Sequence, residues 1–266
     1  MPLFKLCEKD ELVNTLQGVF KANIIRIPEA RIRPLCVIAA TSTQPRFWGY
    51  LNELIEGNIP NPQSAIQESR MADVSGKRSR SINLDLGLQI LQGYLSGFGL
   101  PSAGIVTQFK GAKTVSFSFQ EVMRKFISPS QLGSLLKDHA LDADHASNDI
   151  FFRKEAQLLV TDSIITSKDF SIQVDKANSH NFSLDVPAIE QMIGQANTNV
   201  QVASNTGLDI TFKGSQALAF AFTCLVCDLD AAGRISLKPS SESIHFATQR
   251  FEPKLLFDTS GMLEWD

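Results

Sequence analysis

The chain has 266 residues, 43% hydrophobic and 20% charged, the composition of a globular protein with room for one large domain or two small ones. A formal charge of −3 at pH 7 argues against a general electrostatic interest in nucleic acid, and the basic run Lys77–Arg80 reads as a solvated turn. No apolar run approaches the ~20 residues that a membrane helix needs, and the start, MPLFKLCEKD, is too short and too charged for a secretory signal. The chain is therefore expected in the cytosol at first, with its four cysteines as thiols.

Residues 1–20 read as a helix. Leu6, Val13, Leu16 and Phe20 recur near the helical period, and Glu8, Asp10 and Glu11 sit early, where the helix dipole favours acids. Ile24, Ile25 and Ile27 read as a strand that Pro28 breaks, and Leu35–Ala40 as a second strand. Ala40–Asn52 reads as a loop, Leu51–Gly57 as a short helix or turn, and Pro60 to Arg80 as a strand-poor connection.

Ser81–Val122 holds two apolar-alternating runs. Ile82, Leu84, Leu86, Leu88 and Ile90 share one parity; after a glycine-rich middle, Val115, Phe117 and Phe119 alternate with Thr114, Ser116, Ser118 and Gln120. A period of two puts apolar groups on one face of a strand. It fits a half-buried sheet and equally a barrel wall with lipid outside and water inside. The first run is ambiguous, because Leu84, Leu88, Leu91, Leu95 and Phe98 also recur at helical steps. Gly93, Gly97, Gly99 and Gly104 weaken any long helix there.

Ser128–Ala140 reads as a helix, with Ser128 as its cap, Pro129 at the first position and Leu132, Leu135 and Leu136 as its apolar face. Gln157–Thr161, Ser163–Thr166 and Phe170–Val174 read as strands. Pro187–Ala196 reads as a helix with Asp185 or Val186 near its cap. Asn199–Leu229 is strand-rich: Val200 and Val202 alternate, then Leu208, Ile210 and Phe212, then Leu218, Phe220 and Phe222. Asn205-Thr206-Gly207 and Lys213-Gly214-Ser215 are turn signals between them. Asp230-Ala231-Ala232-Gly233 turns into a short strand, Ile235–Leu237.

Pro239–Ser243 is a polar break. The stretch beyond it, Ile244–Asp266, carries Phe246, Phe251, Leu255, Leu256, Phe257, Met262, Leu263 and Trp265. A tail that apolar must lie on something. From Ser241 on it holds five acids and two bases, so the net acidity of the chain is concentrated there.

Catalytic signals are sparse. His139 and His145 lie with Asp138, Asp142 and Asp144 in DHALDADH, but the spacing matches no calcium loop and reads as a polar connection rather than a metal site. Cys224 and Cys227 form C-x-x-C inside an apolar run. Residues three apart on a strand face opposite ways, so both read as packed thiols rather than as a redox or zinc pair. No P-loop, dinucleotide fingerprint or nucleophile elbow is present.

NIIRIPEARIRPLCVI, then LDLGLQILQGYLSGFG, then GAKTVSFSFQEV is similar in order and spacing to the bacterial gasdermins over Asn23–Asp142, and more loosely through Leu229. The family form is a strand entering an R-[IL]-P element, a basic-Pro-Leu strand, a Leu-rich amphipathic run ending in glycines, and an alternating Thr/Val/Phe strand. The resemblance implies an α+β fold: a central twisted, mostly antiparallel sheet with surrounding helices, closed by a short C-terminal tail. It implies a pore-forming body, residues 1–240, and an autoinhibitory tail, residues 241–266, docked through Phe246, Phe251, Leu255, Leu256, Phe257 and Trp265.

The implied function is that of a protease-activated pore former without enzymatic activity, monomeric and cytoplasmic when inhibited. A protease, typically encoded nearby, cleaves before the tail. The body then forms a homo-oligomer in the inner membrane, with membrane lipids as its partners, and kills the infected cell in antiphage defence. Two hairpins cross the membrane in the active form. Ile82, Leu84, Leu86, Leu88, Ile90, Val115, Phe117 and Phe119 are candidates for the first, and Leu208, Ile210, Phe212, Phe220 and Phe222 for the second. The double period of Leu84–Phe98 would suit a segment that repacks from a compact fold into a long strand.

No cofactor is implied beyond a palmitoyl group on a cysteine near the N-terminus. Cys7 is the nearest candidate, although the family's cysteine usually lies closer to the first methionine; otherwise Cys7 is a packed helix residue. Cleavage falls somewhere in Lys238–Arg250. Arg250 is the best basic candidate, Phe246 an apolar one, and Lys238 is disfavoured by Pro239; Arg234 lies earlier. Outside the family reading, the residues leave open a binding module with a docked C-terminal peptide, or an enzyme of unrecognised type. The tail discriminates among the three.

Overall fold

A computed structural model describes residues 21–41, 45–59, 62–72, 74–79, 82–175, 182–196, 199–238, 253–254, 256 and 262–263. Strands β1 (Asn23–Glu29), β2 (Cys36–Thr41) and β3 (Pro45–Tyr50) lead into the short helix α1 (Leu51–Leu54). Next come β4 (Gln67–Arg70), β5 (Ile82–Asn83), α2 (Leu84–Gly97) and α3 (Ser102–Thr107). They are followed by β6 (Thr114–Gln120), β7 (Met123–Phe126), α4 (Pro129–Leu136) and α5 (Asp149–Phe152). The two longest strands, β8 (Ala156–Val174) and β10 (Asp209–Leu229), flank α6 (Val186–Gln195) and β9 (Gln201–Ala203). Then come β11 (Ile235–Leu237) and β12 (Met262–Leu263).

The fold is α+β, with its strands in one mostly antiparallel sheet. Its spine is the pairing of β8 with β10, which runs from Asp209 opposite Gln173 to Cys227 opposite Leu158. The other edge of β8 is covered by three strands in succession: β2 over Ala156–Val160, β7 over Ser163–Thr166 and β6 over Asp169–Val174. β10 is covered on its far side by β1, β9 and β11.

Two helices begin where their caps predict, although α4 ends at Leu136 rather than Ala140. Ser128 Oγ accepts the Gln131 N–H at 3.2 Å ahead of α4, and Asp185 Oδ1 accepts the Ala188 N–H at 3.0 Å ahead of α6. The Asp230 turn is closed by its own carboxylate. The main-chain N–H of Arg234, followed by that of Ala232, donates to it and holds its carboxyl below the usual range.

Of the two periods open to the first run the structure takes the helical one: Leu84, Leu86, Leu88 and Ile90 lie in α2, and Ile82 is in a strand. Several other expectations are corrected. The helical period prevails because Leu84, Leu88, Leu91, Leu95 and Phe98 line one face of α2 against the sheet. Pro28 does not end β1. The β1–β10 ladder skips between Ile24 and Glu29, so the missing N–H costs no regular bond. The predicted loop over Ala40–Asn52 contains β3. Pro45 opens that strand, and Gly49, at φ +145°, supplies the bulge that sets Trp48 out of register with β2. The strand-poor stretch contains β4. Three predicted strands over Gln157–Val174 are one. Lys213-Gly214-Ser215 is not a turn but part of a bulge inside β10, between Lys213 and Leu218.

Three apolar clusters result. The first lies between the β6–β8–β10 region and α2, α3 and α6; it stacks Phe119 on Phe220 at 3.8 Å and Tyr94 on Phe170 at 4.7 Å between ring centroids. The second packs α1, α4 and α5 on the other end of the sheet. The third joins Ile25, Ile38, Leu159, Ile164, Phe222 and Cys224, with Leu256 against it.

Candidate functional site

The strands of the first cluster are two-faced. Val115, Phe117 and Phe119 of β6, and Ile210, Phe212 and Phe220 of β10, are buried under the helices. The alternate residues, Ser116, Ser118, Gln120, Ser171, Gln173 and Thr211, line a small polar cleft on the opposite face, where Ser171 Oγ and Thr211 Oγ1 lie 2.7 Å apart. The apolar face is therefore covered by helices, not by a second sheet. Leu208 is half-buried just ahead of β10. Phe222 faces the third cluster, because the ladder is irregular between Ala219 and Ala221. Of the first predicted group, Ile90 is buried and Leu84 and Leu88 are half-buried, all in α2. The side chains of Ile82 and Leu86 lie outside the described residues.

Two glycines let the helical cover close down. A Cβ on Gly97 would stand 2.7 Å from the Pro28 carbonyl oxygen, so α2 lies directly on the β1 backbone. A Cβ on Gly214 would stand 2.0 Å from the Phe98 ring, which fills the space at the β10 bulge. Tyr94 O–H donates to the Ser167 carbonyl at 3.2 Å, where β8 passes from β6 to β7. At the same level Lys213 pairs with Asp169 at 3.3 Å and Glu121 at 3.7 Å, and Glu121 itself takes φ +48°. Glu121, Ser167 and Gly214 thus mark neighbouring breaks in the strand pairing, and α2 is fastened to the sheet there through Tyr94 and Phe98.

The tail reaches the body at the head of β1. The Lys254 N–H donates to the Cys224 carbonyl at 2.8 Å. Asn23 Nδ2 donates to the Lys254 carbonyl at 2.9 Å, and Asn23 Oδ1 accepts the Leu256 N–H at 2.7 Å. Leu256 packs on the third cluster. Further on, β12 lies parallel to β1, with Met262 opposite Ile24 and Leu263 opposite Ile25. Leu256 is thus placed against the body, whereas Phe246, Phe251, Leu255, Phe257 and Trp265 lie outside the described residues.

Lys238 is exposed and pairs with Asp228 at 3.4 Å. Its N–H is still bonded to the Val226 carbonyl at 2.9 Å, so it remains part of the sheet. Cys7, Phe246 and Arg250 lie outside the described residues. The reading of the sequence missed Asn23, which holds the tail although it looks like the polar first residue of a strand.

Asp162 lies under the same region. It is the bulged residue of β8 between the Thr223 and Cys224 positions of β10, is 4% exposed, and its Oδ1 finds no partner among the described residues. Cys224 and Cys227 are buried on opposite faces, in the third and second clusters. Burial pushes the Cys36 thiol up to about 11, which keeps it protonated and unreactive. His139 and His145 sit in a run of turns, with His145 Nδ1 2.8 Å from Ser147 Oγ. Among the described residues no three metal-ligand side chains converge, and no helix is long and apolar enough to cross a membrane.

Residues 25–234 match the profile of the Bacterial Gasdermin Family. A relative, Gasdermin bGSDM of Vitiosangium sp. (strain GDMCC 1.1324), is 27% identical over 202 residues, covering 76% of this chain and 75% of its own. Gasdermin bGSDM of a Desulfuromonadales bacterium is 28% identical over 233 residues, covering 87% and 86%. The fold is similar to the structure of a bacterial gasdermin from Bradyrhizobium tropiciagri, with a TM-score of 0.61 at 18% identity, over 87% of this chain and 91% of that one. The family match spans most of the sheet and its helical cover, and the chain belongs to the bacterial gasdermins, a family of pore-forming, non-enzymatic proteins.

Proposed function

We propose that this chain is a protease-activated pore former held closed by its own C-terminal tail. The observation that carries the reading is the attachment of Lys254 and β12 along the edges of β10 and β1, with Leu256 packed on the third cluster. Residues 1–240 are the pore-forming body and 241–266 the inhibitory tail. A protease cuts between them. Lys238 is a poor site because its main chain is paired in the sheet, so Arg250 and Phe246 are the better candidates. Loss of the tail frees the outer main-chain edge of β1 at Ile24 and Ile25 and uncovers the third cluster where Leu256 lay. The body then leaves the cytoplasm, assembles with further copies on the inner membrane, and kills the cell as an antiphage response.

The strands that enter the membrane are those with one apolar and one polar face. Val115, Phe117, Phe119, Ile210, Phe212 and Phe220 would turn from the helices to lipid, while the serine and glutamine face stays with water. Ile82, Leu84, Leu86, Leu88 and Ile90 join them when α2 leaves the sheet and extends, and Leu208 and Phe222 extend the second hairpin. An acyl chain on Cys7 would assist insertion, because one such chain gives only marginal anchoring.

Expression of residues 1–243 beside the full chain in one bacterial strain tests this reading. The shortened chain is expected to stop growth, and purified full chain cut in the 239–250 stretch to release dye from liposomes that the intact chain leaves sealed. Equal growth and sealed liposomes would point instead to a binding module with a docked peptide.

A further inference from the structure

Asp162 sits where one ladder on β8 gives way to another. β2 pairs with β8 as far as Val160, and β7 takes over at Ser163. Between them the Leu35 N–H donates to the Thr161 carbonyl at 2.7 Å, and the Ile127 N–H to the Asp162 carbonyl at 2.8 Å. On the other edge of β8, Thr161 lies opposite Cys224 and Ser163 opposite Thr223, with Asp162 as the extra residue. The main chain is thus held on both sides of the carboxylate. At 4% exposure, the group meets water only if these strands part.

The groups around it do not complete an ion pair. Arg124 of β7 is the cation that acts on it, but Arg124 Nε donates to Ser163 Oγ at 2.7 Å, and the guanidinium lies 5.0 Å from the centre of the Phe126 ring. β10 presents the Thr223 hydroxyl and the Cys224 thiol, which burial and the nearby Asp162 charge keep protonated. From the β2 side the contact is the Leu35 main chain. Asp162 Oδ1 has no partner among the described residues, nor has the hydroxyl of neighbouring Thr161. Burial favours the neutral acid in such a place and pushes its carboxyl up to about 6.

We infer that Asp162 is a proton-sensitive release catch in the spine of the sheet: its negative charge holds the closed sheet below the stability of the neutral form, and regains water when β7, β8 and β10 part at the bulge. This rests on the reading that the sheet rearranges once the tail is lost. The folded chain keeps the proton at pH values where the unfolded chain, near the ordinary carboxylate value of about 3.9, has lost it. The contribution of this group to stability therefore rises as pH falls from about 7 toward 4. Near pH 7 the charge favours opening, and in mild acid the proton resists it.

The test compares the full chain with Asp162→Asn by urea unfolding at pH 7 and pH 5. Between these values the folding equilibrium constant of the unmodified chain is expected to gain about tenfold on that of the variant. Titrating groups common to both chains cancel in the comparison. Asp162→Ser, which also removes the charge, takes the place of Asp162→Asn if that chain does not fold. Parallel pH dependence of the two chains overturns the inference, and so does failure of both variants to fold, which would mean that the charge is required.

Both chains, given a unique protease sequence in residues 239–250, are then cut beside phosphatidylethanolamine–phosphatidylglycerol vesicles at pH 7. Part of the stability gain is expected in the opening rate, so the variant should release dye about threefold more slowly at equal cutting. Equal or faster release by the variant overturns the catch. If the pH difference is present and neither chain releases dye, the proton-sensitive element stands and the pore reading fails. If dye is released and the pH curves run parallel, the pore reading stands and the catch fails.

Discussion

Asp162 is a carboxylate set into the centre of a β-sheet, with one oxygen unpaired. Burial pushes its carboxyl up to about 6, and the Thr223 hydroxyl, its own main-chain N–H and the Arg124 charge offset that only in part. Asp162→Asn keeps the shape, removes the charge, and leaves an amide close to the Thr223 hydroxyl. It is expected to stabilise the closed fold by about 1–3 kcal/mol at neutral pH, read as a higher midpoint in urea. A lower midpoint would mean that the carboxylate has a partner that makes it favourable. At this scale the sequence is legible where a residue's own strand decides its role. Cys224 and Cys227 face opposite ways because three steps along a strand reverse the side. It is silent where the partner is remote: Asn23 is bonded to a carbonyl 231 residues away, and no local pattern encodes that.

The elements show the same division. α2 was legible as a double period, and the structure resolves it by packing, since its leucine stripe has the sheet beneath it. Of the glycines expected to weaken a long helix here, Gly97 instead lets the helix lie on β1; Gly214, expected in a turn, makes room for Phe98. Gly214→Ala is expected to force the Phe98 ring out of place and cost about 1–3 kcal/mol of stability, measured by urea unfolding. An unchanged midpoint would show that the ring yields without cost. The misread elements share one cause. Pro28, Pro45, Gly49 and Gly214 carry turn chemistry, but in this sheet they mark bulges and strand starts. A bulge and a turn use the same residues, and only the partner strand separates them.

On the scale of the whole molecule the described residues form an amphipathic sheet with two kinds of cover. One is the helical layer over the first cluster, held by aromatic packing and by Tyr94. The other is the tail, held at Asn23, at Leu256 and along β12. Their stabilities should differ greatly, because the tail's described contacts are few and lie at an edge, whereas β8 is paired on both sides. Hydrogen exchange is expected to find the amides of Lys254 and Leu256 opening well before those of Leu158–Ile165. Equal protection of the two segments would mean that the tail opens only with global unfolding. The α+β class and the two-faced strands were legible in the sequence, because alternation survives any topology. The route of β8 past β2, β7 and β6 was not, because it joins segments from across the chain.

The order in which a ribosome makes the chain has a consequence for the tail. Lys254, Leu256 and β12 are translated after every strand that they touch. At about 5–20 residues per second, roughly a few seconds separate the completion of Leu229 from that of Leu263. Each newly made molecule thus passes through an interval in which the sheet has been synthesised and the tail has not. If the tail restrains the body as proposed, that interval has to be shorter than the time the nascent body needs to find other copies and a membrane.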